Sequence, residues 1–388
     1  MRRLVALLIA AAALLQPAFG ADQPPVEVPI ILSLTGGLSF VGRGTQQSLQ
    51  LVEDHVNRTG GINGRPLHFT FADDTSSPQV AVQLMNGLIA QKANVVMGSE
   101  SVAICQAMAA MLKDGPVLYC LSPGVHPDDG SFEFSALNST VDAIDTAFRY
   151  FRETGLHRMS VITTTDATGQ DIDRLIGAAV TASHGELQIV DYEHFNPGDL
   201  SVTAQMTKMM GANPQVLIGW ATGSPAATIL RALKETGQTI PVLTSYGNAL
   251  NGLMKQQWAA FLPATLYITA QATLAPQQVT DRGTKAALAP YFDELARNNL
   301  QPDVLNGAAW DASMLVAGAL RKLGPTASAE QIRAYIAGTR GWNGIFGRYD
   351  FKATPQRGIG RDSMYLARWD IAKQTWIAVS RAGGAPLK

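Results

Sequence analysis

The stretch MSVITTTDATGQDIDRLIGAAVTASHGELQIVDY, residues 159–192, decides the fold. Met159–Thr164 is a short apolar and β-branched run and reads as a buried strand. Gly169–Ser183 reads as a helix, and Leu187–Tyr192 returns to strand. Downstream the alternation continues with helix Val202–Gly211, strand Val216–Trp220, helix Pro225–Thr236, and strands Ile240–Thr244 and Thr265–Ala270. Upstream, Val26–Leu34 is a strand pattern, and Thr45–Arg58 is a helix with Leu49, Val52 and Val56 on one face. Strands Pro66–Ala72, Asn94–Gly98 and Pro116–Leu121 alternate there with helices Pro78–Gln91 and Val102–Lys113. Continuous apolar strands separated by amphipathic helices predict α/β architecture, with parallel sheets covered on both faces. So many units exceed one open sheet of ordinary size, which predicts two doubly wound lobes. The end of the chain differs. Pro276–Arg297, Val304–Leu323 and Ala329–Ala337 read as helices, and Met364–Asp370 with Thr375–Ser380 as an antiparallel pair.

The 388 residues suit about two domains. Hydrophobic residues make up 46% and charged residues 16%, which excludes a disordered chain. A formal net charge of -1, with no long basic run, gives no electrostatic reason to expect nucleic acid as a partner. Met1-Arg2-Arg3, the apolar run Leu4–Leu15 and the small residues Ala18 and Gly20 read as a secretory signal peptide over residues 1–20, cleaved after Gly20. The apolar run is too short to span a bilayer, which takes roughly 20 residues. Export places Cys105 and Cys120 in an oxidising compartment, where they form a disulfide or stay as buried thiols.

Chemistry-bearing motifs are missing. Gly36–Gly42 has the wrong spacing for a dinucleotide loop, and there is no Walker loop, H-E-x-x-H or G-x-S-x-G. The six histidines are scattered, with no pair at metal-ligand spacing. Asp73-Asp74 before Thr75-Ser76-Ser77-Pro78 reads as a turn and helix cap. No catalytic constellation, metal site or cofactor is expected, which leans toward binding rather than catalysis.

An ordered set of short motifs carries a resemblance. Leu34-Thr35-Gly36, Gly60–Leu67 (GGINGRPL) and Asp73-Asp74 come first, then Met97-Gly98 ahead of Ser101, then Leu121-Ser122-Pro123-Gly124. Asp166–Gly169 (DATG), Asn196–Leu200 (NPGDL) and Trp310-Asp311-Ala312 complete it. Together they resemble the type I periplasmic solute-binding proteins of ABC importers, in the leucine/isoleucine/valine-binding protein family. The resemblance spans essentially the whole chain after residue 20. It implies two α/β lobes joined by three crossovers, with ligand held in the cleft. Lobe one is assigned to residues 21–137 and 270–345, and lobe two to 138–269 and 346–388.

The family also implies pocket residues. Ser101, at the start of a helix, matches the serine used for a ligand carboxylate, a role that suits a hydroxyl beside free N–H groups. Gly124 and His126 match the turn that contacts ligand through its backbone; His126 stands where threonine or serine is usual, and reads either as a donor to the ligand carboxylate or as a rim histidine in a Pro-Gly loop. Thr168 occupies a position that is often tyrosine. Tyr246 lies in the loop Ser245–Asn248, near where amino-acid receptors carry an acid to pair with the ligand ammonium. Glu100 could supply the missing charge, or, since side chains alternate at a strand end, point outward instead. Phe40, Trp220, Thr222 and Tyr246 are expected to wall the cleft, and Trp310 to belong to the core. An aromatic wall, a carboxylate clamp and no ammonium partner suit an aromatic or hydrophobic carboxylic acid. Segments Trp220–Pro225 and Tyr246–Leu262 resemble the aromatic-acid branch of the family.

The expectation is a monomeric periplasmic receptor, not an enzyme, that delivers a small carboxylate to an inner-membrane ABC permease by lobe closure. The alternatives are a branched-chain amino acid receptor of the same kind, or a ligand sensor for a membrane signalling protein. An exported hydrolase would need a triad that the sequence does not display.

Overall fold

A computed structural model describes residues 24–387. The expected signal peptide lies outside the described residues. In the first lobe, strand β1 (Val26–Leu32) leads to helix α1 (Ser39–Arg58), β2 (Leu67–Asp73), α2 (Pro78–Ala90), β3 (Val95–Met97), α3 (Val102–Ala109), β4 (Val117–Cys120) and β5 (Glu133–Ser135). The chain crosses over into α4 (Thr140–Glu153), β6 (Arg158–Thr164), α5 (Ala167–Ala182), β7 (Gln188–Phe195), α6 (Thr203–Gly211), β8 (Val216–Trp220), α7 (Ser224–Glu235), β9 (Val242–Thr244) and β10 (Leu266–Ala270). It returns through α8 (Arg282–Arg297), α9 (Val304–Leu323), α10 (Ala329–Gly338) and a hairpin of β11 (Arg340–Asn343) and β12 (Arg348–Asp350). A third crossover leads to β13 (Tyr365–Asp370) and β14 (Thr375–Ala378).

One sheet is ordered β2-β1-β3-β4-β5 and is parallel throughout. The other is ordered β14-β13-β10-β9-β8-β6-β7; it is parallel from β10 to β7, and β13 and β14 add to it antiparallel. These are the two doubly wound lobes that the alternation predicts. The central strands β3, β4, β8 and β9 are buried along their whole length, as their unbroken apolar runs require. Helix α9 packs on α1, and α10 on α9 and β4, so the long helices near the end of the chain cover the first sheet.

The packing explains two glycines. A Cβ on Gly42 would sit 2.1 Å from the Ser33 carbonyl oxygen, and one on Gly169 would sit 1.6 Å from that of Thr164. Each lets the helix that follows a lobe's first strand lie against the end of that strand. Trp310 is buried against Tyr291 and His55, as expected of a core residue.

Several local expectations change. Helix α1 begins at Ser39, earlier than Thr45, so Phe40 lies on its first turn. Helix α8 begins at Arg282 because Asp281 caps it through the Thr284 N–H; only a 3-10 turn forms at Pro276–Gln278. Asp73 and Asp74 build the expected turn but not the cap. Asp73 accepts from the N–H groups of Leu34, Thr35 and Thr75, while Ser77 caps α2. The elements β5, α4, β11 and β12 carry no expectation from the sequence.

Candidate functional site

Both sheets direct the carboxyl ends of their strands at a common cleft. The loops after β3 (98–101) and β4 (121–124) approach it from one lobe. Those after β6 (165–166), β8 (221–223) and β9 (245–247) approach it from the other. Such ends, at the point where strand order reverses, are where doubly wound sheets form crevices. The cavity between them leaves about 80 Å³ for the centres of water-sized molecules. Its apolar wall is Val41, Val102, Leu121, Leu137, Trp220, Val304, Leu305 and Ala308. Its polar wall is Ser122, Thr140, Thr168, Thr222, Ser245, Tyr246, Glu100 and Asp171. Among the described residues, no lysine, arginine or histidine lines it.

Positive potential comes instead from helix ends. The first turns of α1, α3, α4, α5 and α9 contribute Val41, Val102, Thr140, Thr168 and Val304 to the wall. The leading N–H groups of a helix have no intrahelical acceptor, and the macrodipole makes that end favourable for anions.

Of the residues expected at the site, Gly124, Thr168, Trp220, Thr222 and Tyr246 line the cavity. Three do not. Ser101 caps α3, accepting from the Ile104 N–H at 3.4 Å. Phe40 is 47% exposed at the rim, where its ring reaches toward Gly252. His126 turns away from the cavity, with its Nε2 2.8 Å from Asp171 Oδ1. Asp171 lies on α5 of the other lobe, close under Gly124. Cys105 and Cys120, on α3 and at the end of β4, are joined as a disulfide with Cα atoms 6.1 Å apart. The bond ties together the two elements that present Val102 and Leu121–Gly124 to the cavity.

Two carboxyls line the cavity, and one of them, Asp171, is named by no expectation from the sequence. Asp171 is buried; its Oδ1 takes His126 and Arg174, the latter at 3.0 Å, while Oδ2 has no partner. Of the two readings of Glu100, the one that turns it outward fails: it lines the cavity, and neither of its oxygens has a hydrogen-bond partner. Burial pushes the Glu100 carboxyl up to about 7; the Thr45 hydroxyl opposes the shift and the Asp74 charge adds to it. The alternation argument fails here because the chain has left β3 at Met97 and no longer follows a strand. No sequence motif marks Asp171; the helical register of α5 places it one turn beyond Thr168.

The base of the site is held at the crossovers. Tyr246 donates its hydroxyl to the Asn138 carbonyl at 2.7 Å, and Asn138 donates to Gly360 O and Ser363 Oγ. Arg357 is buried there and donates to Ser135 Oγ, Leu137 O and Val125 O. No candidate metal cluster occurs among the described residues, and no described helix is long and apolar enough to cross a membrane.

Two doubly wound lobes enclosing one cavity define a ligand-binding protein of the two-lobed, type I periplasmic kind. A profile described as periplasmic binding protein matches residues 25–375, and the chain belongs to that family. Leu/Ile/Val-binding protein homolog 3 of Brucella melitensis is 22% identical over 242 residues, which are 58% of this chain. The match spans 62% of that relative's own length. Leu/Ile/Val-binding protein BraC3 of Rhizobium johnstonii is 21% identical over 96% of this chain and 98% of its own. Among solved structures, an extracellular ligand-binding receptor from Rhodopseudomonas palustris HaA2 superposes with a TM-score of 0.80 at 19% identity, covering 92% of this chain and all of its own. The branched-chain amino acid transporter substrate-binding protein LivJ of Streptococcus pneumoniae, in complex with isoleucine, gives 0.75 at 19% identity over 91% and 97%. An ABC transporter solute-binding protein from R. palustris, in complex with benzoate, gives 0.74 at 18% identity over 93% and 97%.

Proposed function

We propose that this protein is the periplasmic receptor of an ABC importer, exported by a signal peptide cleaved near Gly20, and that it captures a small aromatic or hydrophobic carboxylic acid. The observation that carries the reading is the cavity wall. Apolar side chains and Trp220 surround helix N-termini, with no basic side chain to hold an anion in another way. The carboxylate sits at the start of α3, where Val102 lines the cavity and the first N–H groups of the helix lack intrahelical acceptors, and lobe closure brings the Ser101 hydroxyl onto it. The ring or alkyl body lies against Trp220, Val41 and Leu305. Lobe one closes on lobe two about the three crossovers, and the membrane permease recognises the closed monomer. No bond in the ligand is made or broken.

A second reading has one observation in its favour. The free Asp171 Oδ2 offers the ammonium partner that an α-amino acid needs. Thermal-shift and calorimetric titration with benzoate-type acids, short aliphatic acids, leucine and valine separate the two. Stabilisation by the acids without an amino group supports the first reading. Tight leucine binding with no response to benzoate rejects it. Ser101→Ala is expected to weaken carboxylate binding by about tenfold, the scale of one charge-assisted hydrogen bond together with its cap. Unchanged affinity removes Ser101 from the clamp.

A further inference from the structure

We propose that Glu100 recognises the ligand carboxylate as a neutral acid, donating a hydrogen bond from its own protonated carboxyl, so that capture of the ligand takes up a proton. The inference rests on the carboxylate reading above and deepens it.

Glu100 is in the cavity wall, yet both of its oxygens are shielded from solvent and lack a partner. A buried carboxyl is costly as an anion and cheap as an acid. The groups around it do not change that balance. From α1, Thr45 presents a hydroxyl that is itself unpartnered. From the end of β2, Asp74 presents a second buried carboxyl; its Oδ1 accepts from Ser33 at 2.7 Å and its Oδ2 is free. From its own loop, Ser99 Oγ accepts from the Ser101 N–H; the Ser99 hydroxyl and the Glu100 N–H oppose the effect of burial on Glu100 without overcoming it. Across the cleft, α5 brings Asp171, and the two nearby basic side chains, His126 and Arg174, are both committed to Asp171 Oδ1. Glu100 therefore has carboxyls as its charged neighbours and no cation of its own.

A ligand carboxylate entering this wall meets an acid or an anion. The anion repels it at short range, whereas the acid gives a short, charge-assisted O–H···O bond that also satisfies the buried Glu100. Binding then favours the protonated form. With the free carboxyl near 7, affinity is full below that pH and is lost as pH rises through it.

The test is calorimetric titration of the full-length mature protein with sodium benzoate from about pH 5.5 to about 8.5, where benzoate stays ionised. Wild type is expected to keep a constant Kd up to about pH 7. Above it, Kd rises by up to about tenfold per unit, with net proton uptake in buffers of different ionisation enthalpy. Glu100→Gln, whose amide donates but does not titrate, is expected to bind with a flat profile and no proton uptake. Glu100→Ala is expected to bind more weakly than Glu100→Gln at low pH, and thermal unfolding checks that each variant is folded. A flat wild-type profile, affinity that rises with pH, or a Glu100→Gln slope equal to wild type overturns the proposal while leaving the carboxylate reading intact. Failure of both benzoate and leucine to bind wild type at any pH sinks the carboxylate reading, and this inference with it.

Discussion

His126 Nε2 lies 2.8 Å from Asp171 Oδ1, and this contact links the loop after β4 in one lobe to α5 in the other. Asp171 is buried while His126 is 38% exposed, so the pair works at the edge of the closed cleft. His126→Ala removes the link but leaves Arg174 on the carboxylate. A half-exposed pair is worth roughly 0.5–1 kcal/mol. Ligand affinity is expected to fall about two- to fivefold, and small-angle scattering of the ligand-free protein to report a more open average. An unchanged scattering profile and Kd would show that closure does not use this contact.

Trp220 is the tryptophan that lines the cavity; Trp258, Trp310, Trp369 and Trp376 are buried elsewhere, and Trp342 lies on β11. Ligand binding is therefore expected to change intrinsic tryptophan emission, and Trp220→Phe to abolish most of the change while retaining an aromatic wall. A full-sized signal in the variant would place the ligand away from Trp220.

The Cys105–Cys120 bond closes a segment of 15 residues. Chain-entropy arguments give about 3 kcal/mol for a loop of that length. Reduction, or the double change Cys105→Ala with Cys120→Ala, is expected to lower the unfolding free energy by about 2–4 kcal/mol, read by urea titration. Mass spectrometry after alkylation should find both thiols blocked only when reductant has been added.

Arg357 donates to Val125 O, Ser135 Oγ and Leu137 O, and no carboxylate pairs with it among the described residues. Arg357→Met keeps the volume but leaves these buried acceptors without donors. A loss of about 2–4 kcal/mol of stability is expected, from the desolvation left unpaid at each acceptor. Because the acceptors lie where lobe one passes into the first crossover, the variant should also alter the rate of ligand dissociation in stopped flow. Unchanged stability would mean that water replaces the guanidinium.

Much of the architecture was legible in the chain. The unbroken apolar strands and the single-faced helices carry their burial in their spacing, so the two lobes and the late antiparallel pair β13–β14 follow from local pattern. The short strands β11 and β12 were not legible. They are held by distant contacts: Asp311 on α9 accepts from the N–H groups of Ile345 and Phe346 and from the Tyr349 hydroxyl.

The site divides in the same way. Gly124, Thr168, Trp220, Thr222 and Tyr246 follow strand ends or begin helices, and the parallel-sheet rule brings such positions to the cleft whatever their neighbours do. Glu100, Asp171 and His126 were decided by tertiary structure alone. The sequence supplies three titratable groups on three separate segments. Only the approach of the two lobes sets which of them face the cavity and which pair with one another, because a charge buried at a closing interface is fixed by partners that lie far away along the chain.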